Sequence, residues 1–304
     1  MSEFRTEVII LIGVLFVSSG GFGQSNSSAQ DKAESQDKKW VLVWSDEFNA
    51  PNGSAVDPAK GVLETGADKW GNAELEYDTD RRQNSHIEDG DLVIEARAEK
   101  YKGDSAEAKN YTSARMKTAG KFSRAYARFE ARIKIPFGQV LWPAFRMLGD
   151  DIEKVGWPAC GEIDIMENIG KEPSMNHGSI HGPGYIGGDG IEATTSMPAG
   201  KKLSDDFHIY AAEWEPDEVR FYLDDQLYAT QTRASSKPGQ KWMFGHPFFL
   251  LLNVAVGGDW PGNPDASTVF RRQCWWTTCE CMLTQASRLL LAGTKGLGAR
   301  RNVQ

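Results

Sequence analysis

The sequence predicts an all-β domain, a sandwich or jelly roll, over residues 40–270. Three observations predict it. Short apolar or alternating runs recur from Trp40 onward with turn residues between them, as at 91–97 (DLVIEAR), 207–214 (FHIYAAEW) and 219–223 (VRFYL) before Asp224-Asp225. No long stretch before residue 282 carries a 3.6-residue period. No repeat or internal boundary divides the body, and many strands at this spacing suit two packed sheets.

Taken in order, the N-terminus comes first. Residues 8–17 (VIILIGVLFV) form a ten-residue apolar run, too short to span a bilayer, and small residues follow at Gly21-Phe22-Gly23. Residues 1–23 are therefore expected to be a signal peptide, although Arg5 lies between Glu3 and Glu7. The expectation is a secreted protein, extracellular or periplasmic, with no membrane attachment in the mature form. Residues 24–39 (QSNSSAQDKAESQDKK) are polar and aperiodic and read as a disordered linker.

In the body, 126–135 (YARFEARIKI) sets Tyr126, Arg128, Glu130 and Arg132 against Phe129, Ala131, Ile133 and Ile135, the alternation of a half-exposed antiparallel strand. The net charge of −8 argues against nucleic acid and anionic membranes as partners. Ten Trp and 11% aromatic residues suit a β-rich core or a groove in which rings stack on sugars. Of the four cysteines, Cys160 stands alone in the body, and Cys274, Cys279 and Cys281 sit near the end, so no disulfide framework follows. Cys279 and Cys281 lack the partners of a zinc site, and no metal ligands are assigned. The segment 182–187 matches GxGxxG, but it contains Pro183 and opens no helix, so it reads as a glycine-rich loop.

The segment 161–168 (GEIDIMEN) carries the chemistry. On a strand, Glu162 and Asp164 share one face, with Ile163 and Ile165 on the other. Glu167 falls out of phase by one residue, and a β-bulge at Met166 restores it to the acidic face. Carboxyls this close push their pKa values apart. Glycoside hydrolysis needs that split: one protonated acid and one ionised carboxylate, about 5–5.5 Å apart when configuration is retained. An acidic surface strand or a calcium site is the competing reading of the spacing alone.

GEIDIMEN closely resembles the signature of glycoside hydrolase family 16, in its laminarinase-like branch. Further motifs resemble the family in order: WSDEF at 44–48, WGNAELEY at 70–77, FEARIKIP at 129–136, WPAF at 142–145, WPACG at 157–161 and NVAVGGDW at 253–260. The resemblance covers about residues 40–270. It implies a concanavalin-like β-jelly roll of two curved antiparallel sheets with a concave substrate cleft. It implies Glu162 as nucleophile, Glu167 as acid/base, and Asp164 hydrogen-bonded to Glu162. Asn72, Trp142, Trp157, His181, Asn253 and Trp260 occupy positions that resemble substrate-binding cleft residues. The family needs no cofactor for catalysis, though many members carry a structural calcium.

Two positions depart from the pattern. Arg146 stands where the family usually writes a second Trp (WPAFRML), which is expected to weaken sugar binding or shift specificity. Residues 271–282 (RRQCWWTTCECM) replace the family's closing strand, LVDYVRVY. Codons read from their third base are compatible with that strand at every step. Residues 271–304, with six Lys/Arg against one acid, are therefore expected to be an out-of-frame tail outside the 40–270 catalytic domain. The sheet should then lack a strand, and calcium becomes doubtful, because the family often binds it through an Asp of that strand.

The function expected is a secreted, monomeric, retaining endo-β-glucanase acting on β-1,3-glucan. A β-1,3-1,4-glucanase, a galactan hydrolase of the same fold and a non-catalytic β-glucan-binding protein are the alternatives. The presence of both Glu162 and Glu167 speaks against the last.

Overall fold

The computed structural model describes residues 39–265 and 268–285. The expected signal peptide and nearly all of the expected linker lie outside the described residues, as does the end of the tail.

The strands in chain order are β1 (Trp40–Asp46), β2 (Val62–Glu64), β3 (Glu76–Asp78), β4 (Ser85–Glu88), β5 (Asp91–Tyr101), β6 (Lys109–Ser113), β7 (Arg115–Lys117), β8 (Arg128–Lys134), β9 (Leu141–Gly149), β10 (Glu162–Glu167), β11 (Met175–His181), β12 (Ile191–Ser196), β13 (His208–Glu215), β14 (Glu218–Leu223), β15 (Gln226–Thr232), β16 (Phe248–Val256) and β17 (Arg272–Thr284). A single short helix, α1 (Ile152–Val155), is the only α-helix among the described residues.

One sheet has the order β15-β14-β13-β8-β17-β5-β6-β3, with β1 beside β17 and β4 beside β5. The other has the order β12-β11-β10-β9-β16-β7-β2. The result is the expected β-jelly-roll sandwich. All the strand pairings are antiparallel except β3 with β6, which is parallel. The main core lies between the sheets: Phe129, Ala131 and Ile133 of β8 meet Ile163 and Ile165 of β10 and Leu250, Leu252 and Val254 of β16 in one buried cluster. In β8, Glu130 and Arg132 are partly exposed between those buried positions, as the alternation predicts.

The expected loss of the closing strand is corrected. Residues 272–284 form β17, which pairs with β8 along one side and with β5 and then β1 along the other. Cys274, Trp276, Cys279, Cys281 and Leu283 are buried in the core, and Trp276 meets Phe145 edge-on at 5.8 Å. The alternation changes phase at a bulge between Trp276 and Thr278. Three cysteines behave here as small apolar residues.

Candidate active site

β10 lies between β9 and β11, and its parity divides two environments. Gly161 leads into it at φ +75°, a left-handed conformation that favours glycine; a Cβ there would come within 2.9 Å of Phe248. Ile163 and Ile165 enter the core, and so does Met166. Two consecutive inward residues mark the bulge. Against β9 the unpaired residue is Ile165, not Met166, because Asp164 pairs with Arg146 and Met166 with Phe145. The consequence is as expected: Glu167 returns to the face of Glu162 and Asp164.

That face is crowded. Glu162 Oε2 accepts the indole N–H of Trp157 at 2.8 Å. Asp164 Oδ2 accepts from Ser179 Oγ at 2.9 Å and lies 3.1 Å from His181 Nε2. Glu167 Oε1 accepts from Trp142 Nε1 at 3.0 Å and from Arg146 Nη2 at 2.9 Å. Register explains the set. Ser179 and His181 lie opposite Asp164 and Glu162 on β11, and Arg146 lies opposite Asp164 on β9. The expected hydrogen bond from Asp164 to Glu162 is replaced by other partners, and Asp164 acts on Glu162 through its charge.

Burial raises the Glu167 pKa to about 8, with Asp164's negative charge adding to it and Arg146 opposing it. Burial, then Asp164, also raises Glu162. Asp164 is held low despite its burial, by the His181 hydrogen bond and Arg146. Burial alone would lower His181, but its contact with Asp164 lifts it to about 9. At neutral pH a protonated Glu167 reduces the negative charge set against Arg146 and a protonated His181. This is the balance a buried cluster requires. Since two donors hold Oε1 of Glu167, its proton belongs on Oε2.

The predicted flanking residues divide into two groups. Trp142, Trp157 and His181 bond the carboxylates directly. Trp157 is 45% exposed and offers its ring to solvent. Trp142 is only 6% exposed, has the Arg146 guanidinium 5.6 Å from its ring and meets Trp260 edge-on, so it positions Glu167 and offers little face for stacking. Trp260 reaches the group through Trp142 and His177. Asn253 lies opposite Ala144, buried, with an unpartnered Oδ1. Asn72 bonds Glu74 at 3.0 Å, and the Glu74 charge acts on Arg146.

Sequence reasoning missed three participants. Arg146 stands 3.4, 3.7 and 2.9 Å from Glu162, Asp164 and Glu167. Its parity with Trp142 on one strand was the available signal. Ser179 shares parity with His181. Glu74 is buried with an unpartnered Oε2 and shares parity with Glu76 and Asp78.

Ligand atoms of Glu162, Asp164 and His181 lie within 4.8 Å of one another, the one such grouping among the described residues. The Arg146 guanidinium and a protonated His181 oppose a cation there. On the other sheet, β17 turns Trp276 into the core and bonds Thr277 to Arg132, so these residues do not fit a calcium site built on an Asp of that strand.

The family model for "Glycosyl hydrolases family 16" matches residues 73–278. The chain belongs to that family. The match runs into β17, through residues expected to lie outside the domain. A "Beta-glucanase" of Rhodothermus marinus is 40% identical over 272 residues, covering 86% of this chain and 89% of the relative. A "Glucan endo-1,3-beta-glucosidase" of Cryptopygus antarcticus is 39% identical, covering 74% and 83%. The catalytic domain of an endo-1,3-beta-glucanase (laminarinase) from Thermotoga petrophila superposes with a TM-score of 0.77 at 45% identity, covering 82% of this chain and 99% of that one. This family 16 chain is a glycoside hydrolase with the jelly-roll fold of its solved relatives.

Proposed function

We propose that the chain is a retaining endo-1,3-β-glucanase with Glu162 as nucleophile and Glu167 as acid/base. The observation that carries this reading is the pairing of unlike carboxyls on one strand face. Glu167 holds its proton up to about pH 8, and Glu162 faces two donors suited to an anion. In the first step Glu162 attacks the anomeric carbon while Glu167 Oε2 gives its proton to the leaving oxygen. In the second, ionised Glu167 takes a proton from water, which displaces Glu162 from the sugar. Asp164, fixed by Ser179 and His181, keeps a negative charge beside Glu162 throughout.

Trp157, exposed at the carboxylates, supplies a ring face for a glucose unit, and Asn72, Asn253, His181 and Trp260 are proposed to line the same groove. The β-1,3 preference rests on the relatives named as 1,3-glucanases. Export through residues 1–23, action as a monomer and catalysis without a metal belong to the same proposal. Reducing-sugar release tests it. Laminarin should be cut by the wild type and not by Glu162→Ala, and lichenan should be cut more slowly. Full laminarin activity in Glu162→Ala overturns the reading; faster cleavage of lichenan overturns the linkage preference.

A further inference from the structure

Among the described residues, Arg146 is the single one whose charged group stands within 4 Å of all three carboxylates. It is 7% exposed and lies directly opposite Asp164 in the ladder between β9 and β10. Its Nη2 shares Glu167 Oε1 with Trp142, and its Nη1 approaches Glu162 Oε1. One planar cation thus spans both reacting carboxylates.

We infer that Arg146 is a positioning residue that fixes Glu167 against Trp142 and sets the pH window of hydrolysis by holding a permanent positive charge between the two glutamates. It rests on the roles proposed for Glu162 and Glu167. A guanidinium does not lose its proton in the working range, so its charge acts on both groups at every pH. The other charged or titratable groups facing the pair are Asp164 on β10, His181 on β11, Glu74 before β3 and Cys160 ahead of β10. Of these, His181 alone supplies a second positive charge.

The sign follows from the geometry. A nearby cation favours the ionised form of each glutamate. Glu162 is therefore ionised at lower pH than it would be alone, which extends activity on the acid side. Glu167 releases its proton at lower pH, which shortens activity on the alkaline side. Removing the charge should move both limbs of the profile upward together. An uncharged residue at this place would leave Glu162, Asp164 and Glu167 with His181 as their only cation among the groups named.

The experiment uses full-length protein labelled with ¹³C at the glutamate carboxyls. The Glu162 and Glu167 resonances are assigned by their loss in Glu162→Gln and Glu167→Gln. Wild type, Arg146→Gln and Arg146→Lys are titrated, and kcat/KM for laminarin is measured across the same pH range. Arg146→Met replaces Arg146→Gln should the latter not fold. Removal of the charge should raise both carboxyl titrations and both activity limbs by ~1–3 pH units. Arg146→Lys should restore most of the shift while orienting Glu167 less well, seen as a lower kcat. Unmoved titrations in the folded uncharged variant overturn the inference, as does a shift of the same size in Arg146→Lys. If the carboxyls shift but no variant, wild type included, cuts laminarin, the charge-setting role stands and the glucanase reading fails.

Discussion

Trp157 donates its indole N–H to Oε2 of Glu162 at 2.8 Å, while its ring is 45% exposed. One residue thus combines a surface for a sugar with a bond to the carboxylate proposed to attack it. The two roles separate by mutation. Trp157→Phe keeps a ring face and removes the donor. A hydrogen bond to a charged group contributes about 1.5–3 kcal/mol, so kcat should fall roughly 10- to 100-fold with KM little changed. Trp157→Ala should in addition raise KM for laminarin. Steady-state kinetics of the two variants checks this.

Glu167 must carry a proton to act as acid. Its pKa is raised to about 8, chiefly by burial, so the acid form prevails at neutral pH and is lost as pH rises through about 8. The alkaline limb of kcat/KM should fall there. The same measurement in Glu167→Gln should show no such limb in any residual activity.

Replacing Glu167 by Gln keeps a side chain of similar size between Trp142 and Arg146. Loss of a positioned general acid costs about 10²- to 10⁴-fold in rate. The loss should be large for laminarin, whose leaving group needs a proton, and smaller for an aryl glucoside with an acidic phenol. A ratio of the two rates, compared with wild type, reads this directly.

β17 fills the interval between β5 and β8, and Trp276 is fully buried against Phe145. Trp276→Ala should cost about 3–5 kcal/mol, read as a lower denaturation midpoint. A chain ending at residue 270 would leave β5 and β8 each unpaired along one edge and β1 without its partner, and should fail to show a cooperative thermal transition.

The carboxylate strand was legible because its pattern breaks in an informative place. Glu162, Ile163, Asp164 and Ile165 alternate, and Glu167 can join them only through a bulge. The bulge is present, one residue earlier against β9 than expected. β17 was harder to read. Its buried residues are mostly Cys with one Trp and one Leu, its partly exposed ones include Trp275, and the bulge at Thr277 reverses the phase mid-strand. Pairing on both sides, a non-local property, makes such a segment a strand. The contacts of Arg146 were not read for another reason. Comparison with a Trp pattern suggested what was lost, whereas the parity of Trp142, Ala144 and Arg146 on β9 would have placed a cation among the acids. Glu74 and Ser179 needed the fold, since their importance comes from neighbours distant in sequence.

The central claim is that Glu162 forms a bond to the sugar. It is tested most directly by incubating the enzyme with a 2-deoxy-2-fluoro laminari-oligosaccharyl fluoride and locating the adduct by peptide mass spectrometry. The account predicts a stable glycosyl ester on Glu162, absent from Glu162→Ala. An adduct on Asp164 or Glu167, or hydrolysis of laminarin that releases the α-anomer first with no adduct formed, would contradict it.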